Sequence, residues 1–182
     1  IVAQLEKSGV RDNTLIIFTG DNGTDTPIVT PWNGKKVVGG KGTMSDTGTR
    51  VPLIASWPAG IQKPGRVGDD LVAFTDMFPT LCEVTATKLP KNHPADGASI
   101  VPVLRNQAGA RKKDWVYIWY SRSGHSDRGH VMVRNKQYSL LAKNNVDDSK
   151  LTRHNGPFRA KKLKDSELSK KEITIKQQFE SI

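Results

Sequence analysis

The chain has 182 residues, 36% of them hydrophobic and 25% charged, with a net charge of +10. That length suits one domain, or one domain with a small appendage, and no apolar run approaches the roughly 18 residues that a membrane span needs. A single cysteine, Cys82, excludes an internal disulfide framework and a multi-cysteine zinc site, and its apolar setting (TLCEV) reads as a small buried hydrophobe.

Ile1, Val2 and Leu5 form the apolar side of a helix already under way and ending near Gly9, so the chain is expected to be a fragment that begins inside an element. Leu15-Ile16-Ile17-Phe18 does not alternate, which predicts a central strand of a parallel sheet with both faces buried. Residues 24–40 are polar and broken by Pro and Gly and read as a long loop, with Trp32, Lys35 and Lys36 placed to rim a cleft or simply to sit in solvent. Arg50 to Pro58 contains a second apolar strand, and Leu71 to Phe74 suggests a short third one. Thr75 or Asp76 caps a helix that tolerates Pro79 in its first turn and carries Phe78, Leu81 and Val84 at helical spacing. Ser99–Leu104 reads as a short helix.

Beyond Asp114 the pattern becomes antiparallel. Trp115–Tyr120 is a strand, and His130–Val133 and Gln137–Leu141 flank Arg134-Asn135-Lys136 as a hairpin. Ser169-Lys170-Lys171-Glu172 has the form of a capping box, and Ile175, Phe179 and Ile182 follow at i, i+4, i+7 as a terminal amphipathic helix. These elements divide the chain into an α/β part, residues 1–105, and an antiparallel sheet with a helix, residues 106–182.

The charge is divided in the same place. Residues 1–104 carry ten Lys and Arg against ten Asp and Glu, whereas residues 105–182 carry eighteen against eight, the whole excess. Such asymmetry fits an anionic partner, or a solvated basic surface, or a surface that pairs with another part of the protein.

Two short stretches carry chemistry. In TLIIFTGDNGT an apolar strand runs into Asp21-Asn22-Gly23. Asn-Gly is a strong hairpin signal, but TDTPIVTPWNG is too polar and proline-broken to return through a sheet centre. Ligands in open α/β sheets bind beyond the carboxyl ends of strands, and a carboxylate beside an amide oxygen suits a hard cation such as calcium or magnesium. Two donors leave a shell of six to eight oxygens unfilled. Gly39-Gly40-Lys41-Gly42-Thr43 offers glycines that let backbone N–H groups approach an anion, and a compact positive charge. It is not a Walker A loop, and a flexible turn with an incidental lysine is its plainer reading when taken alone. The Arg122–His130 run reads either as a contact for an anionic sugar or as a connector, its two histidines are not at a helical metal spacing, and His93 and His154 read as exposed loop residues.

The order of these motifs, Asp21-Asn22-Gly23, Gly39–Thr43 and Gly48-Thr49-Arg50-Val51-Pro52-Leu53-Ile54 before Trp57-Pro58, resembles the central and C-terminal part of the formylglycine-dependent sulfatases. Asp76–Leu81, Asp96–Ile100 and the Val131–Leu141 hairpin extend the resemblance over nearly the whole chain. It implies a partial alkaline-phosphatase-like mixed sheet flanked by helices, followed by the small antiparallel sheet and C-terminal helix. It also implies that Asp21 and Asn22 are metal ligands for a calcium ion and that Lys41 is a catalytic residue contacting the substrate's sulfate. Arg50 would be structural, and Asp46 would hold the loop beside Lys41.

The family's nucleophile, a formylglycine made in a C/S-x-P-x-R motif, has no counterpart, because Cys82 is followed by Glu83, Val84, Thr85 and Ala86. The first pair of metal-binding aspartates and the N-terminal active-site histidine and lysine have none either. The resemblance thus implies a piece of a sulfuric ester hydrolase, inactive alone, acting in full on a sulfate-ester small molecule or a sulfated glycan, with a periplasmic or secreted location. A phosphatase or phosphonate hydrolase of the same superfamily, and a non-catalytic basic module gripping sulfated glycans, are the alternatives. No nucleic-acid motif is present, and no nucleic-acid partner is expected.

Overall fold

The computed structural model describes the whole chain except residues 93, 94, 108, 110–112, 126, 127 and 144, and the side chains of 145–147. His93 and the Ser126-Asp127 part of the Arg122–His130 run therefore lie outside the described residues. The chain forms two compact units, Ile1–Thr19 with Pro52–Asp114, and Gly20–Val51 with Trp115–Ile182. Among the described residues no helix is long and apolar enough to cross a membrane.

In the first unit, α1 (Val2–Lys7) leads into β1 (Ile16–Thr19), which pairs antiparallel with β4 (Leu53–Ser56). A short 3₁₀ turn, Phe74–Asp76, runs into α3 (Met77–Val84), and α4 (Val101–Leu104) follows. Trp57, Ile100 and Leu104 are buried at the centre, with Leu15, Leu53, Ala55, Met77 and Val84 against them. The expected short helix at Ser99–Leu104 is present, and Cys82 is buried and free.

Three expectations change here. β1 runs antiparallel to β4 and none of its residues is fully buried: Phe18 and Ile54, opposite one another, are 62% and 58% exposed. An apolar, non-alternating run makes both faces suitable for burial, but packing needs a second layer on each, and within this unit only the Leu53 and Ala55 side has one. The expected strand at Leu71–Phe74 does not form. Instead Asp76, fully buried, draws the chain into the 3₁₀ turn by accepting from the Ala73 N–H at 2.8 Å, the Ala98 N–H at 2.9 Å and Lys113 Nζ at 2.6 Å. In α3 the buried side carries Thr80, whose hydroxyl donates to the Asp76 carbonyl and accepts from the Ile100 N–H, while Phe78 and Leu81 are half exposed. Polar satisfaction orients this helix more than its apolar spacing does.

The second unit holds a hairpin, β2 (Val29–Trp32) and β3 (Lys35–Val38), the short helix α2 (Asp46–Thr49), and a five-stranded antiparallel meander. Its strands are β5 (Val116–Tyr120), β6 (His130–Arg134), β7 (Tyr138–Lys143), β8 (Asn145–His154) and β9 (Ala160–Lys162), in sequence order across the sheet. The β2–β3 hairpin corrects the reading of residues 24–40 as a loop. Asn33 and Gly34, both at positive φ (46° and 74°), make the tight two-residue turn that the strand twist favours. Pro31 is tolerated because the ribbon is only two strands wide.

The meander alternates its side chains between two faces. Val133, Leu140 and Leu151 stand opposite one another on successive strands and bury against Phe179 of α5 (Lys170–Glu180), with Ile175 beside them. α5 is capped as its sequence predicts: the Ser169 hydroxyl accepts from the Glu172 N–H and the Glu172 carboxylate from the Ser169 N–H. The opposite face of the sheet carries Arg134 and Ser139, directly paired, and receives the Gly20–Val51 segment.

Candidate functional site

β1 ends at Thr19, so Asp21 and Asn22 leave a strand end as the sequence predicts, Asp21 exposed and Asn22 half-buried. The stretch after them is clamped to the glycine-rich loop by its main chain. The Gly23 N–H donates to the Gly48 carbonyl at 2.9 Å, and the N–H groups of Gly40 and Lys41 both donate to the Thr24 carbonyl, at 2.9 and 3.0 Å. Thr24 is three residues from Asp21, a span of at most about 10 Å, so this clamp gathers Asp21, Asn22 and the exposed Lys41 into one neighbourhood.

The glycines make the approach possible. A Cβ on Gly23 would overlap the Thr47 carbonyl oxygen, one on Gly39 the Asp25 carbonyl, one on Gly40 the Thr47 hydroxyl, and one on Gly48 the carbonyls of Thr43 and Gly40. This differs from the sequence-based picture of free N–H groups turned to an anion, since those of Gly40 and Lys41 are spent on Thr24. The Lys41 side chain is exposed and can meet an anion. Hydroxyls brace the rest of the loop: Thr43 Oγ1 donates to the Gly40 carbonyl at 2.7 Å and meets Ser45 Oγ at 2.7 Å, which meets Thr47 Oγ1 at 3.0 Å.

Asp46 fastens this loop to the sheet. Its carboxylate accepts from Arg134 Nη1 at 2.6 Å and from the Phe158 N–H at 3.2 Å, and His154 Nδ1 stands 3.7 Å away. Burial pushes the Asp46 carboxyl up, but the Arg134 guanidinium, His154 and the Phe158 N–H together outweigh it, and the group is held below its ordinary value. His154 is not an exposed loop residue: its side chain is 6% exposed at the end of β8, with Nε2 at 2.8 Å from Ser139 Oγ. Its charged form is disfavoured, first by burial and then by Arg134, with Asp46 opposing. Beside Lys41, Gly42 adopts φ 79°, and a Cβ there would stand 3.3 Å from the Tyr120 hydroxyl.

The residues that sequence reasoning missed are Tyr120, Arg134, Ser139 and His154, all on the sheet face that receives the loop. Arg134 had one signal, a charged residue at strand spacing from the buried Met132. As cation donors Asp21 and Asn22 are of the right kind for a hard metal, but they are too few alone. Among the described residues no group of three or more His, Cys, Asp or Glu is arranged to hold a metal ion.

Residues 35–180 match the family described as N-sulphoglucosamine sulphohydrolase, C-terminal. The sulfatase YdeN of Escherichia coli is 32% identical over 161 residues, 81% of this chain and 27% of that protein. A sulfatase of Formosa agariphila is 35% identical over 136 residues, 73% of this chain and 23% of that protein. A protein solved in complex with its substrate D-glucosamine-2-N,6-O-disulfate superposes with a TM-score of 0.74 at 26% identity, covering 99% of this chain and 36% of that one. The chain thus spans roughly a quarter of the length of these curated relatives.

Proposed function

The chain belongs to the family of the N-sulphoglucosamine sulphohydrolase C-terminal region, and on that premise we propose that it is part of a sulfatase, in which Asp21 and Asn22 contribute oxygen ligands to a calcium ion and Lys41 contacts the sulfate of the substrate. The observation that supports this most is the glycine-dependent clamp. Gly23 on Gly48, and Gly40 and Lys41 on Thr24, hold two hard oxygen donors and one cation in a common neighbourhood at a strand end.

The remaining calcium donors and the nucleophile are assigned to the part of the relatives' length that this chain does not span. Two apolar faces of the first unit, Phe18 with Ile54 and Phe74 with Phe78 and Leu81, are exposed and are the surfaces we assign to that remainder. By itself the chain is then inactive. A formylglycine, when present, supplies the hydroxyl that attacks sulfur. Lys41 acts on the other side of the reaction: its ammonium is a fixed point charge for a sulfuryl oxygen as negative charge builds there. Asp46, through Arg134 and the Phe158 N–H, keeps the Lys41 loop from shifting.

A sulfate ester of a small molecule or of a glycan is the substrate class proposed with this reading, and a periplasmic or secreted location is proposed with it. The test is hydrolysis of an aryl sulfate by the polypeptide that carries this chain together with a C/S-x-P-x-R segment. Lys41→Ala is expected to lower turnover by about 10²–10³, and Asp21→Ala to raise the calcium concentration needed for activity. Undiminished turnover in Lys41→Ala removes Lys41 from the site.

A further inference from the structure

Trp32 ends β2 at the tip of the hairpin and is 47% exposed. Its ring meets that of Phe158 edge-on, with centroids 5.6 Å apart and planes at 85°. A T-shaped contact takes up at most one face of an indole, and at 47% exposure Trp32 keeps the other for a flat partner to stack on. Lys35 lies directly across the hairpin from Trp32, a position whose Cβ is about 5 Å away on the same side of the ribbon. Lys35, Lys36 and Arg159 are all exposed.

Phe158 is held at a cost. It adopts φ 56°, a left-handed conformation that a bulky residue avoids. What keeps it there is its own N–H, which donates to Asp46, the residue that also anchors the Lys41 loop to Arg134. Asp46 therefore fixes both the loop bearing Lys41 and the aromatic residue backing Trp32. Lys41 lies six residues beyond Lys35, three of them past the end of β3, so the two backbone positions are at most about 20 Å apart. That is the reach of a short oligosaccharide.

We propose that the open face of Trp32, backed by Phe158 and flanked by Lys35 and Arg159, is a subsite that stacks on a sugar ring of a sulfated oligosaccharide and selects which sulfated glycan reaches Lys41. A pyranose offers an apolar C–H face to the indole, and its sulfate groups pair with the flanking cations. The exposed Lys35, Lys36 and Arg159 have the sign such a ligand needs. This subsite rests on the sulfatase reading above, and makes Trp32 a determinant of specificity rather than a catalytic residue.

The experiment titrates the full chain with a heparin hexasaccharide and with the same hexasaccharide desulfated, following binding calorimetrically. Trp32→Ala is expected to weaken binding of the sulfated form roughly tenfold, and Trp32→Phe to restore most of it with an unchanged melting temperature. If Trp32→Ala does not fold, the pair Trp32→Phe and Lys35→Ala/Arg159→Ala replaces it, the second expected to cost affinity for the sulfated form alone. Equal affinity of Trp32→Ala or of Lys35→Ala/Arg159→Ala and the parent overturns the subsite, as do equal binding of the desulfated form and absence of binding by the parent. Lys41→Ala separates the two readings. Affinity lost in Lys41→Ala but kept in Trp32→Ala leaves sulfate contact by Lys41 standing and removes the subsite. Affinity that depends on Trp32 and not on Lys41 supports the subsite and counts against Lys41.

Discussion

Asp46→Ala is the substitution most directly decided by the geometry of the second unit. Asp46 and Arg134 are 7% and 8% exposed and meet at 2.6 Å, so removing the carboxylate strands a guanidinium where water scarcely reaches. Breaking a buried pair on one side typically costs about 3–5 kcal/mol. The Phe158 N–H loses its acceptor in the same step, although the two losses share a site and will not add in full. Asp46→Asn keeps the volume but gives up the charge and one of the two acceptor oxygens that Arg134 and the Phe158 N–H use, for a loss of about 1.5–3 kcal/mol. Urea unfolding at neutral pH should show both as lowered midpoints with the denaturant slope unchanged. A loss below about 1 kcal/mol for Asp46→Ala would equate the pair with an exposed, screened one and refute the argument from burial.

The pH dependence of the same cluster has a definite sign. Asp46 is held below 3.8, so its contribution is complete above that pH and disappears as pH falls through its folded value. His154 is also lowered, from 6.5, which means that the unfolded chain takes up its proton first. Stability therefore falls as the solution is acidified below about 6.5, and His154→Gln should flatten that part of the profile. In Asp46→Ala the one charge that favours protonated His154 is gone, and the decline should continue to lower pH.

Gly48→Ala places a methyl against the backbone carbonyls of Thr43 and Gly40. A loss of at least about 1–3 kcal/mol is expected, together with weaker amide-exchange protection at Gly23, whose N–H bonds to Gly48. Ser169→Ala removes the hydroxyl of the capping box and should cost about 1 kcal/mol in thermal or urea unfolding. Glu172 is lowered to about 2, by its hydrogen bonds with Arg153 first and those with Ser169 next. Its stabilisation is complete above 4.5 and lost as pH falls toward 2, so Glu172→Gln should narrow the melting-temperature gap between pH 6 and pH 2.5. Leu151→Ala, at a fully buried position between Leu140 and Phe179, should destabilise by about 2–5 kcal/mol.

Local chemistry by itself determined much of this chain. The capping box of α5, the hairpin β6–β7, and strands β1 and β4 are all recovered, because each depends on residues within one element: a hydroxyl three positions from a carboxylate, or apolar runs flanking a turn. The motif order that resembles the sulfatases was equally legible. The Asn33-Gly34 turn was also written in the sequence, but the polar, proline-bearing flanks obscured strands that a two-stranded ribbon tolerates.

Only the tertiary structure decided what the glycines between Gly23 and Gly48 are for. For Gly23 and Gly39 the requirement comes from main chain more than ten residues away, and for Gly40 and Gly48 from the fold of the loop back on itself, a close approach that no local spacing encodes. The same holds for Asp76, which bends a predicted strand into a turn while bonding to Ala98, and for His154, whose side chain is buried where its Nε2 meets the Ser139 hydroxyl. Burial of a polar group is a property of the partners that satisfy it. Those partners are contributed by distant segments of the chain, so sequence periodicity carries the apolar face of the sheet and is silent about the polar one.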